Sequence, residues 1–171
     1  IETLELRHLM AAASQASEEA QIPLRARLFK TLSPTYQSLR EQGIRQLHFH
    51  TADGHSFLRF HEPQLFGDYL LDFRPAIKLA QEQRTAIRGF EAGRVKSGFR
   101  YVFPLLERDQ LVGSMEISIG FRQIQEQMAK LAPEQYFMFV LDKKLTLSVA
   151  RQAEEWLYAE APMHPDFVIE D

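Results

Sequence analysis

Arg45-Gln-Leu-His-Phe-His50, Thr51-Ala-Asp-Gly54 and His55-Ser-Phe-Leu-Arg-Phe-His61 together form the stretch whose reading decides the fold. Apolar and polar residues alternate on both sides of an Asp-Gly turn, the combination that marks a β-hairpin. A register opposing His50 to His55 and His48 to Phe57 puts Leu47, Phe49, Leu58 and Phe60 on one face. That face is expected to pack under N-terminal helices. The other face carries His48, His50, His55, Phe57, Arg59 and His61, too polar for a dry core and too regular for a random surface.

Downstream, Gly89 to Val95, Phe99 to Leu106 and Leu111 to Gly120 read as three more strands, the last two separated by the charged turn Glu107-Arg-Asp-Gln110. Phe99, Tyr101, Phe103 and Leu105 alternate with Arg100 and Val102. Leu111, Gly113, Met115, Ile117 and Ile119 alternate with Ser114, Glu116 and Ser118, the period of half-buried antiparallel strands. Between the second and third strands lies the breaker-rich loop Glu62 to Phe73, then a helix opened by Arg74-Pro75 and running to Arg84. Arginine is a poor N-cap, so its guanidinium is expected to have another use. The fold class is therefore α+β: a five-stranded antiparallel sheet with a helical excursion after its second strand.

Upstream, Leu6, Leu9, Ala13, Ala16 and Ala20 form one helical stripe. Pro23 is expected to interrupt it, and Ser33-Pro34 to start a further short helix ending at Gly43. Beyond the sheet, Phe121, Ile124, Met128 and Leu131 make a helical face stopped by Pro133. Tyr136 to Asp142 and Leu145 to Ala150 read as a hairpin around Lys143-Lys144, followed by a helical piece anchored by Trp156 and a tail. Three segments follow: 1–43, helices covering the sheet or rising as a stalk; 44–121, the sheet core; and 122–171, a helix-hairpin extension short of a full module.

With 45% hydrophobic and 25% charged residues the chain can build a core. A net charge of -3 argues against a nucleic-acid surface. Without cysteine there is no disulfide framework or thiol nucleophile. No apolar run approaches the roughly 20 residues of a membrane span, and no signal peptide is recognisable. The chain opens on Ile1, and we expect it to be part of a longer protein whose flanks hold membrane segments.

Arg59 and His61 project from one strand face and Arg74 enters from the following loop, with Phe57 and Phe73 placed to wall the same space. A carboxylate or other anion wants a planar donor fork and a donating imidazole, which this set supplies. The competing expectation is that Arg59 pairs with Asp68, Asp72 or Glu91 and pins the loop to the sheet. His48, His50, His55 and His61 also raise zinc, since His-x-His on a strand puts two imidazoles on one face. Ordinary surface or ligand-facing histidines are the simpler expectation, and no metal or other cofactor is assigned. Gly89-x-x-x-Gly93 lacks the ending of a phosphate loop, no serine sits in a nucleophile elbow, and Glu154-Glu155 reads as a solvated helix face. No catalytic set emerges, and the chain is not expected to be an enzyme.

At His50, Phe57-Leu-Arg-Phe-His61, Phe66-Gly-Asp68, Arg74-Pro75 and Gly89-Phe-Glu-Ala-Gly-Arg94 the sequence resembles the Cache superfamily, PAS-like sensor domains of bacterial transmembrane receptors. It is most similar to double-Cache domains of histidine kinases, diguanylate cyclases and chemoreceptors. The likeness covers about residues 1 to 121. Where that pattern has two acidic residues after the glycine, this chain has Asp68-Tyr69. Glu91 and Arg94, within the last of these motifs, join the candidate ligand-binding residues. The resemblance implies an extracytoplasmic, periplasmic sensor of a small molecule such as a carboxylate or amino acid. It would be membrane-tethered through segments outside this chain, with a homodimer compatible. The alternative is a ligand-free structural or dimerisation module regulated by a partner protein. A third reading is a PAS-type domain inside the cytoplasm.

Overall fold

The computed structural model describes residues 3–93, 97–150 and 157–170, so the expectations placed on Arg94, Val95 and Trp156 lie outside the described residues. Two helices open the chain, α1 (Thr3–Gln15) and α2 (Glu18–Glu41). The break falls at Ala16–Ser17 rather than at Pro23. Ser17 has the extended backbone of an N-cap and its side chain accepts from the Ala20 amide. Glu18 and Glu19 follow in the first turn, where the helix dipole favours negative charge. Pro23 and Pro34 both lie inside α2, contrary to expectation. Each removes the donor for the carbonyl four residues earlier, on Glu19 and Lys30. Both residues are exposed, so water replaces that donor. Burial of Leu28, Leu32 and Tyr36 along one stripe holds the helix continuous across both prolines.

The hairpin forms from β1 (Ile44–Thr51) and β2 (Ser56–Arg59). The chain continues through α3 (Pro75–Gln83), β3 (Ile87–Glu91), β4 (Gly98–Glu107) and β5 (Gln110–Ile119). The sheet order is β2-β1-β5-β4-β3. Gln46 meets Ser118 and His50 meets Ser114, so β1 and β5 run antiparallel.

The hairpin register differs from the expected one. His48 opposes Arg59, Phe49 opposes Leu58, and His50 opposes Ser56, with a bulge between. Phe57 is the extra residue, and the bulge turns it with Leu58 toward the helices instead of onto the polar face. Phe57 thus joins Leu47, Phe49, Leu58, Phe60, Leu105 and Val112 beneath Leu9, Met10 and Ala13 of α1 and Leu28, Leu32 and Tyr36 of α2. Beside the bulge, β5 comes so near β1 that a Cβ on Gly113 (φ +148°) would lie 2.3 Å from the His50 carbonyl oxygen. A second, smaller apolar cluster gathers Leu70, Ile77, Ala80 and Val102 under α3 and the preceding loop.

Compactness divides the chain into two units, Ile1–Gly89 with Arg100–Ser118, and Phe90–Phe99 with Ile119–Asp171. The second contains α4 (Phe121–Leu131), β6 (Leu141–Asp142), α5 (Lys143–Val149), β7 (Tyr158–Glu160) and β8 (Phe167–Glu170). Its three-stranded sheet has the order β6-β8-β7. Phe121, Leu141 and Val168 form its centre, with Phe121 and Phe139 rings stacked 4.7 Å apart. The expected hairpin around Lys143-Lys144 is instead a helix. Asp142 accepts from the Leu145 amide at 2.7 Å and so caps α5. The expected tail ends in a paired strand, β8. Among the described residues no helix is long and apolar enough to cross a membrane.

The Gly113 approach predicts that Gly113→Ala lowers unfolding stability by at least about 2 kcal/mol in urea titration. Gly89→Ala, with nothing within 4 Å of the added carbon, should stay within about 0.5 kcal/mol.

Candidate functional site

The polar face of the first unit is built around Glu116. On β5 the alternation sends Met115 and Ile117 to the helix-covered side and Ser114, Glu116 and Ser118 to the other, where all three are fully buried. A carboxylate in that position needs countercharge. Arg100 of β4 donates from Nη1 to Glu116 Oε1 at 2.7 Å, and Arg74 donates from Nη2 to Oε2. Burial alone would raise this carboxyl; the Arg74 and Arg100 charges outweigh it and hold it at about 2. Arg74 sits at the N-cap position of α3 without a side-chain cap bond. Its guanidinium serves the sheet instead.

Gln46 of β1 extends the network. Its Oε1 accepts from Arg100 Nη1 at 3.0 Å and from Ser118 Oγ at 2.8 Å, leaving Nε2 to donate to His61 Nε2 at 3.3 Å. His61 therefore carries its proton on Nδ1, a buried atom that makes no hydrogen bond among the described residues. The same logic applies to His50. Gln81 Nε2 donates to the Thr51 carbonyl at 3.0 Å and to Ser114 Oγ at 3.1 Å. Ser114 Oγ could accept a second time, but among the described residues His50 Nδ1 is the one acceptor within reach of its own proton, so Ser114 donates there at 2.8 Å. That places the His50 proton on Nε2, again buried and, among the described residues, without a hydrogen-bond partner, as is Gln81 Oε1. His48 meets Ser56 Oγ at 2.8 Å and packs edge-on to His50, ring centres 4.1 Å apart.

All three imidazoles are held neutral. Burial is the main cause, with the Glu116 carboxylate opposing it at His50 and neighbouring arginines assisting. His50 is lowered to about 3, His61 to about 4, and His48 well below its ordinary value.

Arg59 closes one side. It forks Asp68, Nη1 to Oδ1 at 2.7 Å and Nη2 to Oδ2 at 2.8 Å, and also reaches the Leu65 carbonyl at 2.8 Å. The pairing expected with the following loop is thus present, with Asp68 as partner.

Of the residues singled out from the sequence, the fold brings together His48, His50, Arg59, His61 and Arg74. Phe57 lies in the apolar core, where the hairpin bulge puts it. Phe73 packs against the Leu70, Ile77, Ala80 and Val102 cluster. Glu91 is buried and belongs to the second unit, and Arg94 is outside the described residues. His55 lies apart from the other histidines, half-exposed beside Asp53 and Tyr69. Among the described residues no group of three or more His, Asp or Glu is placed to hold a metal ion. Glu116, Arg100, Gln46, Gln81 and Ser114 escaped the sequence reading. The available signal was a charged residue in mid-strand on each of two adjoining strands, Arg100 and Glu116.

A family model described as a double sensory domain of two-component sensor kinases matches residues 4–165. No curated protein matches the sequence. Among solved structures, the sensory domain of the Campylobacter jejuni chemoreceptor Tlp3 with isoleucine bound superposes with a TM-score of 0.55 at 15% identity, covering 83% of this chain and 57% of that one. The sensor domain of the V. cholerae histidine kinase DctB gives a TM-score of 0.50 at 12% identity, covering 71% of this chain and 49% of that one. The chain thus spans about half the length of these domains, and at such identities the likeness is one of fold.

Two outcomes follow from the site. Because His50 and His61 are neutral when folded but titrate near 6.5 when unfolded, the unfolded chain binds more protons below pH 6.5. Stability should therefore be full above about pH 6.5 and fall as pH drops toward 4 for His61 and 3 for His50. Each histidine contributes up to about 1.4 kcal/mol per pH unit. Glu116 adds a further loss as pH falls from 4.5 through about 2. Urea titrations from pH 7.5 to 4 read the histidine slope; a flat profile contradicts neutral burial. Glu116→Gln removes the carboxylate that both Arg74 and Arg100 bond, and should cost about 3–5 kcal/mol in the same assay at pH 7.

Proposed function

Because the chain belongs to this family of double-Cache sensory domains, we propose that it is the ligand-sensing part of a bacterial transmembrane receptor, extracytoplasmic, and recognises a small molecule bearing an oxyanion. The observation that carries the chemistry is the pair of orphaned donors. His50 Nε2 and His61 Nδ1 are buried N–H groups without acceptors among the described residues, on a face that also holds Arg59, Arg74 and Arg100. A buried unsatisfied donor costs about 1–3 kcal/mol, and an oxyanion supplies the acceptors both require. Neutral imidazoles donate without adding charge, so the guanidinium groups provide the electrostatic attraction. An amino-acid carboxylate has this chemistry, and isoleucine bound to the Tlp3 domain makes amino acids the first class to test.

In this reading the receptor is a histidine kinase, diguanylate cyclase or chemoreceptor anchored by segments outside this chain, and α1 and α2 carry the signal. The ligand must favour one of two conformations, because tight binding to both would shift nothing. The second unit begins a further sensory module of the longer protein.

A second reading has one observation in its favour. Asp68 already fills the Arg59 fork and Glu116 already engages Arg74 and Arg100, as in a structural module that answers to a partner protein.

Thermal-shift screening against amino acids and small carboxylates separates the two. A binder at 100-fold over its dissociation constant should stabilise the domain by about 2.7 kcal/mol, and a library without a single shift favours the structural module. For any binder found, Arg59→Ala should weaken affinity about tenfold to a hundredfold. Its own stability loss should be modest, about 1 kcal/mol, because Asp68 is 42% exposed. Unchanged affinity per folded molecule removes Arg59 from the site.

A further inference from the structure

The segment after β2 crosses the edge of the sheet and contacts both of its faces. Gly67 N donates to Ser56 O at 2.8 Å, Ser56 N to Asp68 O at 2.9 Å, and Leu70 N to Gly54 O at 3.0 Å. His55 and Tyr69 form an antiparallel bridge. Residues 67–70 therefore run along the open edge of β2. Gly67 has φ +85°, a backbone turn that favours glycine. It lets neighbouring side chains leave on opposite sides: Asp68 toward Arg59 on the polar face, Phe66 toward α2.

On the helix side Phe66 meets Arg25. The Arg25 guanidinium carbon lies 3.7 Å from the Phe66 ring centre and 5.3 Å from that of Phe57. Arg25 is buried, donates from Nε to the Phe57 carbonyl at 2.6 Å, and from Nη2 to Gln21 Oε1 at 3.3 Å. Gln21 Nε2 in turn donates to the Ala13 carbonyl at 3.1 Å and the Ala16 carbonyl at 3.5 Å. Those carbonyls belong to the last turn of α1 and to the break that follows it. Contacts thus run from Arg59 to Asp68, and from Phe66 through Arg25 and Gln21 to the junction of the two N-terminal helices, the two parts joined by the backbone across Gly67.

We propose that residues 66–70 form a strap that ties occupation of the Arg59 fork to the packing of the α1–α2 junction, with Arg25 as the positioning residue on the helix side. Its purpose rests on the sensing reading above; the coupling is a property of the chain alone. An oxyanion that engages Arg59 competes with Asp68 and releases the strap. Phe66 then moves off a guanidinium held by neutral oxygens and ring faces, an attraction that fades within a few ångströms of displacement. Gln21 loses its fixed partner, and the junction loosens.

Hydrogen exchange tests this without any ligand. Asp68→Asn should accelerate exchange at amides of residues 21–28 by about 3- to 30-fold, with the β1 amides of Leu47 and Phe49 unchanged as the control for folding. Phe66→Leu, which keeps apolar bulk but not the ring, should do the same; Phe66→Tyr should behave as the parent. In the double variant Asp68→Asn with Phe66→Leu, the acceleration should not exceed that of either single change. Exchange confined to residues 62–70 in Asp68→Asn overturns the proposal, as does a double variant whose effects multiply. If Asp68→Asn does not fold, Arg59→Lys, which keeps the charge but not the fork, makes the same comparison. A coupled junction with no binder in the thermal-shift library removes the sensing reading and leaves the strap. A binder with an uncoupled junction does the reverse.

Discussion

A carboxylate with no exposed surface at the centre of a sheet is tolerated only where opposite charge is fixed beside it. At Glu116 that charge comes from Arg74 at the start of α3 and Arg100 on β4. Desolvating the three groups is costly, and their attraction in a poorly polarisable interior offsets that cost only with well-placed bonds. The arrangement therefore says little about net stability and a great deal about geometry. It decides where α3 begins relative to β5, aligns β4 beside β5, and through Gln46 reaches β1. The proton of His61 follows from the same network through Gln46, while that of His50 follows from a separate set, Gln81 and Ser114.

The sheet thereby separates two kinds of interior. Under α1 and α2 it is apolar and closely packed, with Phe60 among Phe29, Phe49 and Tyr36. On the opposite face it is polar, with Glu116, Arg74, Arg100 and Gln46 joined by hydrogen bonds and His48, His50 and His61 held neutral beside them. A core whose only task was cohesion would gain from replacing them with hydrocarbon. The hairpin bulge serves both sides: it adds Phe57 to the apolar layer and sets His48 opposite Arg59.

Much of this was legible in the sequence. The alternation around Asp53-Gly54 announced the hairpin and its apolar face, and the periods of residues 99–106 and 111–120 announced β4 and β5. The Arg74-Pro75 start of α3 also carried its own signal, as did the grouping of His48, His50, Arg59 and His61 on one strand pair. Each depends on neighbours in sequence, where side-chain period and backbone chemistry are decisive. The short motifs from His50 to Arg94 pointed to the sensory family for the same reason.

What the sequence left open are events between distant residues. Nothing local says that an extra residue enters at Phe57, because the register of β2 on β1 depends on which side chains the helices and the polar face each bury. Nothing local keeps α2 intact through Pro23 and Pro34, since that continuity comes from burying Leu28, Leu32 and Tyr36 against the sheet. Alternation also showed that Glu116 leaves the face of Met115 and Ile117, but not that this second face would be covered. Hydrophobic period reports a direction along one strand. Whether water or two guanidinium groups wait there is decided by chain segments 42 and 16 residues away, and only tertiary packing brings them to the carboxylate.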